Sequence, residues 1–291
     1  MLISSMFKRE KPVFSFEVFP PRRDAAVDTI YNTLDQLQGL QPDFISVTYG
    51  AGGKAADEAT FEIARAIKSE YNIESLMHLT CLYSSRDDIL CLLPKLADAG
   101  IENVMALRGD ANSEMQVMGD FRYASELAAF IRENSGLGIS GACYPEGHIE
   151  CDDLVRDVLN LRTKIDAGCG HLVSQLFFDN DKFYDFWQRT KIAGIDVPIE
   201  AGIMPVTNKK QIERMVTLCG ASLPAKFTKV MQRYEHHPQA LLDAGIAYAV
   251  NQIVDLVAQG VDGIHLYTMN NPQVAVRIYE NVSSIFQIDK G

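Results

Sequence analysis

Val13-Phe14-Ser15-Phe16-Glu17-Val18-Phe19-Pro20-Pro21-Arg22 alternates large apolar side chains with small or polar ones and then meets two prolines. The alternation predicts a β-strand with Phe14, Phe16 and Val18 on one face and Ser15, Glu17 and Phe19 on the other. The prolines end it, because they cannot donate to a ladder. Glu17 therefore stands near the carboxyl end of a mostly apolar strand. A buried carboxylate is costly unless it is paired, hydrogen-bonded or protonated. Two readings follow: a structural ion pair with Arg22 or Arg23, or an acid at the mouth of a site.

Seven further runs read as strands, at 44–49, 75–81, 104–108, 139–144, 172–178, 198–204 and 263–267, with longer helical patterns between them. Most steps are roughly 30 residues, the size of one βαβ unit. Eight such units in 291 residues predict an α/β fold, a closed (β/α)8 TIM barrel forming a single domain over 1–291, rather than an open doubly wound sheet. Gly100, Gly168, Gly194 and Gly260 each close a helical pattern, as left-handed C-caps do. Ser85-Arg86-Asp87-Asp88 has the form of a capping box, and Asp24 precedes the amphipathic run Val27, Ile30, Leu34, Leu37. The interval from 204 to 263 is twice the usual step, and its helical patterns at 209–218, 225–235 and 238–258 place extra helices before strand eight. The last helix is expected at 272–286.

A net charge of −11 disfavours nucleic acid and anionic membrane as partners, since both are bound through a basic face. No signal-peptide core follows Met1, and no stretch reads as a membrane span, so the expected location is the cytoplasm. Six cysteines without a C-x-x-C pair suit reduced, mostly buried thiols.

In a barrel of this kind the working residues stand at the carboxyl ends of the strands. Here those positions hold Glu17, Thr48, His78, Arg108-Gly109-Asp110, Tyr144 with His148, Gln175, and Tyr267 with Asn270. Two acids, an arginine, two histidines and an amide converging on one mouth predict a ligand site. Gly50-Ala51-Gly52-Gly53-Lys54 is too short, and lacks the Ser or Thr, for a Walker A loop. His78, His148 and Cys81 share no helix and make a poor metal set. No strand carries a lysine for a Schiff base, and no G-x-S-x-G elbow occurs. Asp157, Asn160 and Lys164 form a polar stripe beside Leu154, Val158, Leu161 and Ile165. The stripe is either a solvated helix face or the wall of a groove for a long cofactor, with Lys164 and Arg108 meeting phosphates.

Nine segments in order resemble the methylenetetrahydrofolate reductase family in its short bacterial, flavoprotein form. They are Phe16-Glu17-Val18-Phe19-Pro20-Pro21-Arg22, Val47-Thr48-Tyr49-Gly50-Ala51, His78-Leu79-Thr80-Cys81, Ala106-Leu107-Arg108-Gly109-Asp110 and Ala142-Cys143-Tyr144-Pro145-Glu146-Gly147-His148. Leu159-Asn160-Leu161 with Lys164, Gln175-Leu176-Phe177-Phe178-Asp179, Gly202-Ile203-Met204-Pro205-Val206 and Tyr267-Thr268-Met269-Asn270 complete the set. The resemblance implies reduction of 5,10-methylenetetrahydrofolate to 5-methyltetrahydrofolate, with NADH or NADPH delivering hydride in ping-pong fashion through N5 of a non-covalent FAD. It implies that Thr48, His78, Arg108, Gly109, Asp110, Tyr123, Ala142, Tyr144, His148, Asp157, Asn160 and Lys164 hold FAD. It likewise assigns Glu17, Asp110, Gln175, Gln211 and Tyr267 to the folate, with Glu17 and Asp110 catalytic.

Those roles suit the residue types. Opening the folate's five-membered ring needs a proton donor, and burial favours the neutral form of a carboxyl. The opened substrate is a cation that Asp110 can stabilise. Two positions depart from the family pattern: Asn271 stands where an arginine usually follows the Tyr-Thr-x-Asn run, and Thr163 where an arginine precedes Lys164. The chain stops at the barrel, so the regulatory domain of eukaryotic members is expected to be missing, and self-association through outer helices is expected. The rival from another enzyme class is a flavin-free pterin-binding barrel acting in methyl transfer; from a non-enzyme class, it is a folate carrier or a subunit needing a partner chain.

Overall fold

Strand and helix alternate along the whole chain because each apolar strand is followed by a helix whose one apolar stripe covers it. The computed structural model describes residues 1–21, 28–49, 54–110, 117 and 119–289. Its strands are β1 (Val13–Val18), β2 (Phe44–Val47), β3 (Glu74–Thr80), β4 (Asn103–Leu107), β5 (Gly138–Cys143), β6 (Cys169–Ser174), β7 (Ile199–Ile203) and β8 (Gly263–Tyr267). They pair in parallel and in chain order, and β8 closes on β1 with Ser15 opposite His265 and Glu17 opposite Tyr267. The helices are α1 (Asp28–Gln38), α2 (Lys54–Ser69), α3 (Arg86–Asp98), α4 (Ala124–Asn134), α5 (Leu154–Asp166), α6 (Asn180–Ile192), α7 (Lys209–Cys219), α8 (Ala225–Tyr234), α9 (Pro238–Ala258) and α10 (Pro272–Val282). The expected (β/α)8 barrel is thus the observed fold, with α7 and α8 as the additions before β8.

The two faces of β1 separate as its alternation requires. Phe14, Phe16 and Val18 join Leu34 and Leu37 of α1 in the core between barrel and helices. Inside the barrel, Val13, Phe44 and Leu76 fill the floor, which a 3-10 turn at Ile3–Lys8 closes by inserting Ile3, while Met105 and Val173 of the same apolar cluster reach up to the wall of the mouth cavity. Above them lies a buried polar layer of Ser15, Ser46, Ser140, His171, Glu200 and His265. Glu17 and His78 are buried one step higher, towards the open end.

The punctuation read from the sequence holds where it is described. Gly100, Gly168, Gly194 and Gly260 all have positive φ, and Ser85 and Asp88 make the reciprocal capping box at α3. Asp24, the Arg22 and Arg23 pair, and the loop at 50–53 lie outside the described residues.

Three expectations need correction. β6 begins three residues before the expected run and ends before Gln175. The apolar stretch 176–178 leaves the sheet: Leu176 and Phe178 pack under the inserted helices with Phe227 and Met231, and α9 side chains take the carbonyls of Phe177 and Phe178. Second, α9 is long and apolar enough by length and composition to cross a membrane. In this fold it packs on α8, α10, β7 and β8, burying Leu241, Ile246, Ile253 and Leu256. Third, only Cys81, Cys143 and Cys169 are buried; Cys151 and Cys219 are partly covered and Cys91 is exposed, all of them free thiols.

Candidate active site

The carboxyl ends of the strands surround a cavity of about 740 Å³ whose wall includes Glu17, Thr48, His78, Gln175 and Tyr267, with Arg108, Gly109 and Asp110 on one side. The predicted mouth residues are therefore brought together except Asn270, and Gln211, the further folate candidate, also stands apart. Asn270 is a staple: its amide accepts from the Phe19 N–H and donates to the Phe19 carbonyl, each at 2.8 Å, tying the loop after β8 to the end of β1. Gln211 sits in the first turn of α7, its side-chain oxygen held by the Thr207 hydroxyl at 2.7 Å, and lines no described cavity.

Glu17 is 7% exposed and lies between two imidazoles. Its Oε2 is 3.7 Å from His78 Nε2 and 3.6 Å from His265 Nε2. Burial pushes His78 down to about 4, so near neutral pH that ring is uncharged and the contact is not an ion pair. His78 Nε2 has no hydrogen-bond partner among the described residues. Thr268 fixes the Glu17 backbone by donating its hydroxyl to the Glu17 carbonyl at 2.6 Å. Opposite, Tyr267 donates to the Ser174 carbonyl at 2.7 Å, and its ring lies over Gly202, where a Cβ would come within 2.8 Å of it. Gln175 uses its side-chain oxygen on the Leu176 N–H at 2.9 Å, which leaves its amide hydrogens to serve as donors.

A second cavity of about 510 Å³ continues from the first, between the ends of β4 and β5 and the helices α4 and α5. Tyr123, Asp157, Asn160 and Lys164 line it, and Arg108, Ala142, Tyr144 and His148 face both cavities. The polar stripe of α5 thus lines a groove, with Asp157 and Lys164 partly covered and Asn160 exposed. Lys164 donates to the Ala142 carbonyl at 2.7 Å with its ammonium 5.5 Å from the Tyr144 ring, and burial lowers its proton affinity. Burial raises Asp157, against the pull of Lys164. His148 is lowered by burial and then by Arg108. The groove thus holds a fixed guanidinium and an ammonium that is cheaper to pair with an anion than to leave buried.

Glu150 was not foreseen. Arg108 holds it with two parallel bonds of 2.6 Å, while the guanidinium Nε is buried without a partner among the described residues. The available signal was an acid two residues past His148, in the segment that crosses the mouth. Next to Arg108, Gly109 has φ +86°, and a Cβ there would lie 3.1 Å from Thr80 Cβ, so this left-handed turn packed against Thr80 suits glycine. Thr163 lines the second cavity with a neutral hydroxyl, and Asn271 caps α10 by accepting from the Val274 N–H at 3.4 Å. No group of three His, Cys, Asp or Glu side chains among the described residues is placed to hold a metal.

Comparison with known proteins bears on the family and the fold. The family model described as methylenetetrahydrofolate reductase matches residues 2–283. A methylenetetrahydrofolate reductase (NADH) of Arabidopsis thaliana is 36% identical over 97% of this chain, which spans 50% of that relative's length. A 5,10-methylenetetrahydrofolate reductase of Pectobacterium carotovorum is 34% identical over 91% of this chain and 88% of its own. Among solved structures, a Clostridium thermocellum protein reported to bind two copies of 5-methyl-5,6,7,8-tetrahydrofolic acid superposes with a TM-score of 0.71, covering 99% of this chain and 100% of its own at 15% identity, a likeness of fold. With 34% identity across most of a full-length bacterial relative and a match over nearly the whole barrel, this chain belongs to the methylenetetrahydrofolate reductase family.

Proposed function

We propose that the protein reduces 5,10-methylenetetrahydrofolate to 5-methyltetrahydrofolate with NADH as hydride donor and FAD held non-covalently along the joined cavities. The observation that carries this reading is Glu17, a buried carboxyl flanked by imidazole nitrogens at 3.7 and 3.6 Å, at the deep end of a two-chambered groove. The groove suits a dinucleotide. Arg108, whose Nε has no partner among the described residues, and Lys164 offer cations to a pyrophosphate, Gly109 lies in the cavity wall beside Arg108, and Thr48, His78, Tyr144 and His148 surround the deeper part. Bound FAD supplies the hydride relay that side chains cannot. NADH is preferred over NADPH because the plant relatives carry that donor in their names.

The chain's own residues do the rest. Glu17 gives its proton to the nitrogen that leaves when the five-membered ring opens, breaking its O–H bond as the N–H bond forms. The carboxylate of Asp110, on the cavity lip, faces the cation so produced. Gln175 offers its free amide hydrogens to the pterin edge, and Tyr267 closes the far wall.

The test is the purified protein with NADH and methylenetetrahydrofolate. It should be yellow, release FAD on denaturation, and convert NADH and methylenetetrahydrofolate to equal amounts of NAD and 5-methyltetrahydrofolate. A colourless protein, or FMN in the supernatant, would contradict the reading and favour the flavin-free methyl-transfer rival.

A further inference from the structure

The buried polar layer beneath Glu17 is one continuous chain of contacts. Ser15 Oγ lies 2.8 Å from Glu200 Oε1 and 2.6 Å from His265 Nδ1. Glu200 Oε2 lies 3.0 Å from His171 Nε2, and His171 Nδ1 lies 2.9 Å from Ser140 Oγ. At the upper end, His265 Nε2 is 3.2 Å from Ser46 Oγ and 3.6 Å from Glu17 Oε2. Ser15, Glu200, His171 and His265 are all 0% exposed. Burial raises Glu200 to about 8 and lowers His171 to about 3, so near neutral pH both are uncharged. The other acids near the layer are committed elsewhere: Asp43 to Arg9 and the Phe14 N–H, Asp262 to the Ile199 N–H.

The positions of the protons follow from what each atom can do. The single carboxyl proton of Glu200 has two places to go, towards His171 Nε2 or towards Ser15 Oγ. An imidazole nitrogen is the far stronger acceptor, so the proton sits on Oε2. Oε1 is then a bare carbonyl oxygen and takes the hydroxyl hydrogen of Ser15. Ser15 has no second hydrogen, so at 2.6 Å it can only accept from His265, whose hydrogen is therefore on Nδ1. Nε2 then carries no proton: it accepts from the Ser46 hydroxyl at 3.2 Å, with Glu17 Oε2 beyond it at 3.6 Å.

We propose that Glu200, Ser15 and His265 form a positioning relay that locks His265 in its Nδ1–H form, so that a ring nitrogen without a proton stands 3.6 Å from Glu17 and favours the acid form of that carboxyl between turnovers. This rests on Glu17 being the proton donor. A bare nitrogen stabilises the acid form of Glu17 and repels the lone pairs of its carboxylate, and no charge enters the barrel interior. After Glu17 has given up its proton, it regains one from solvent in the open cavity, because the relay itself keeps every proton it holds.

The experiment is a long-range proton–nitrogen NMR spectrum of the ligand-free, ¹⁵N-histidine-labelled protein at pH 7, with the His265 signals assigned from His265→Gln. Expected is a protonated Nδ1 and a bare Nε2 in the unmodified protein. A hydrogen on Nε2, or a doubly protonated ring, would overturn the proposal without any variant. Ser15→Ala should free the ring to its Nε2–H form and slow the methylenetetrahydrofolate half-reaction by on the order of tenfold, a part of the 10²–10⁴ range of a positioned acid, while NADH consumption with menadione is unchanged. Glu200→Gln, whose amide can donate to His171 and accept from Ser15, should keep the Nδ1–H form where Glu200→Ala loses it. A Ser15→Ala protein that changes tautomer without slowing the folate step would also sink the idea. If instead Glu17→Gln retains the folate step, the proton-donor reading fails while the tautomer result stands, so the two failures are distinguishable.

Discussion

Replacing Glu150 by glutamine tests how the groove receives a dinucleotide. Both terminal nitrogens of Arg108 are engaged at 2.6 Å by the Glu150 carboxylate, at the point where the two cavities join. On the proposed reading a pyrophosphate crossing from one chamber to the other needs the same nitrogens, so FAD binding would include the loss of this pair. Glu150 is 57% exposed and Arg108 26%, which places the pair among solvent-screened bridges worth about 0.2–1 kcal/mol. Glu150→Gln removes the competitor and should tighten FAD by at most about fivefold, since about 1.4 kcal/mol is one decade. The gain should shrink between 0.15 and 1 M salt, where the Debye length falls from about 8 to about 3 Å. It should also vanish in acid: the Arg108 bonds hold Glu150 below the usual carboxylate range, and once pH falls through that lowered value the protonated acid releases Arg108 by itself. Titration of apoprotein with FAD, followed by quenching of flavin fluorescence, reads all three effects. Arg108→Gln is the control, expected to weaken FAD by about 10- to 150-fold through loss of charged hydrogen bonds of about 1.5–3 kcal/mol. Weaker FAD binding by Glu150→Gln would refute the reasoning and make Glu150 a ligand contact.

Other outcomes follow from the same geometry. Glu200 has its folded value raised to about 8 against an ordinary 4.5, so the folded state holds an extra proton and loses stability as pH rises through that window. His171 and His78, both lowered by burial, act in the opposite sense but only below about 6.5, so urea unfolding between pH 6.5 and 8 should lose up to roughly 1.4 kcal/mol per pH unit. In Glu200→Gln that slope should be flat; an unchanged slope would mean the carboxyl is ionised throughout. Gly109→Ala, at φ +86° and against Thr80, should lower stability by about 1–2 kcal/mol and leave purified protein short of flavin. Asn271→Ala removes the α10 cap and should cost about 0.5–2 kcal/mol in thermal unfolding with flavin content unchanged, because Asn271 touches neither cavity.

The barrel was legible because its signals are local. Period-two runs, glycines after helical patterns and the double-length step before 263 each lie within one segment, and they place eight strands and the inserted α7 and α8. The reading failed at 176–178, where an apolar run looks the same whether it extends a strand or packs under a helix further along the chain. The mouth residues were legible for a related reason: the end of a strand is a position in sequence, and Glu17, His78, Arg108 and Tyr267 occupy such positions. Gln211 and Asn270 show the limit, since both are polar and near the mouth yet spend their side chains on neighbouring backbone or a threonine. Glu150 offers only its place two residues past His148, because a charged residue in a loop carries no periodic signal.

Glu200 is the instructive omission. It sits in β7 between Ile199 and Ala201 and is as conspicuous in its strand as Glu17 is in β1, so the argument that singled out one carboxyl applies equally to the other. What the sequence lacks is the register across strands. Ser15 meets His265 only because β8 closes on β1, and His171 meets Glu200 only because β6 lies beside β7. Residues 250 apart thereby share a hydrogen at 2.6 Å. In an open sheet of the same strands, with β1 and β8 at opposite edges, Glu200 and Glu17 would be two unrelated buried acids, each needing its own compensation. Closure turns them into the two ends of one chain through Ser15 and His265. The relay would therefore be lost in any variant that opens the β1–β8 seam, even one whose strands and mouth residues were otherwise intact.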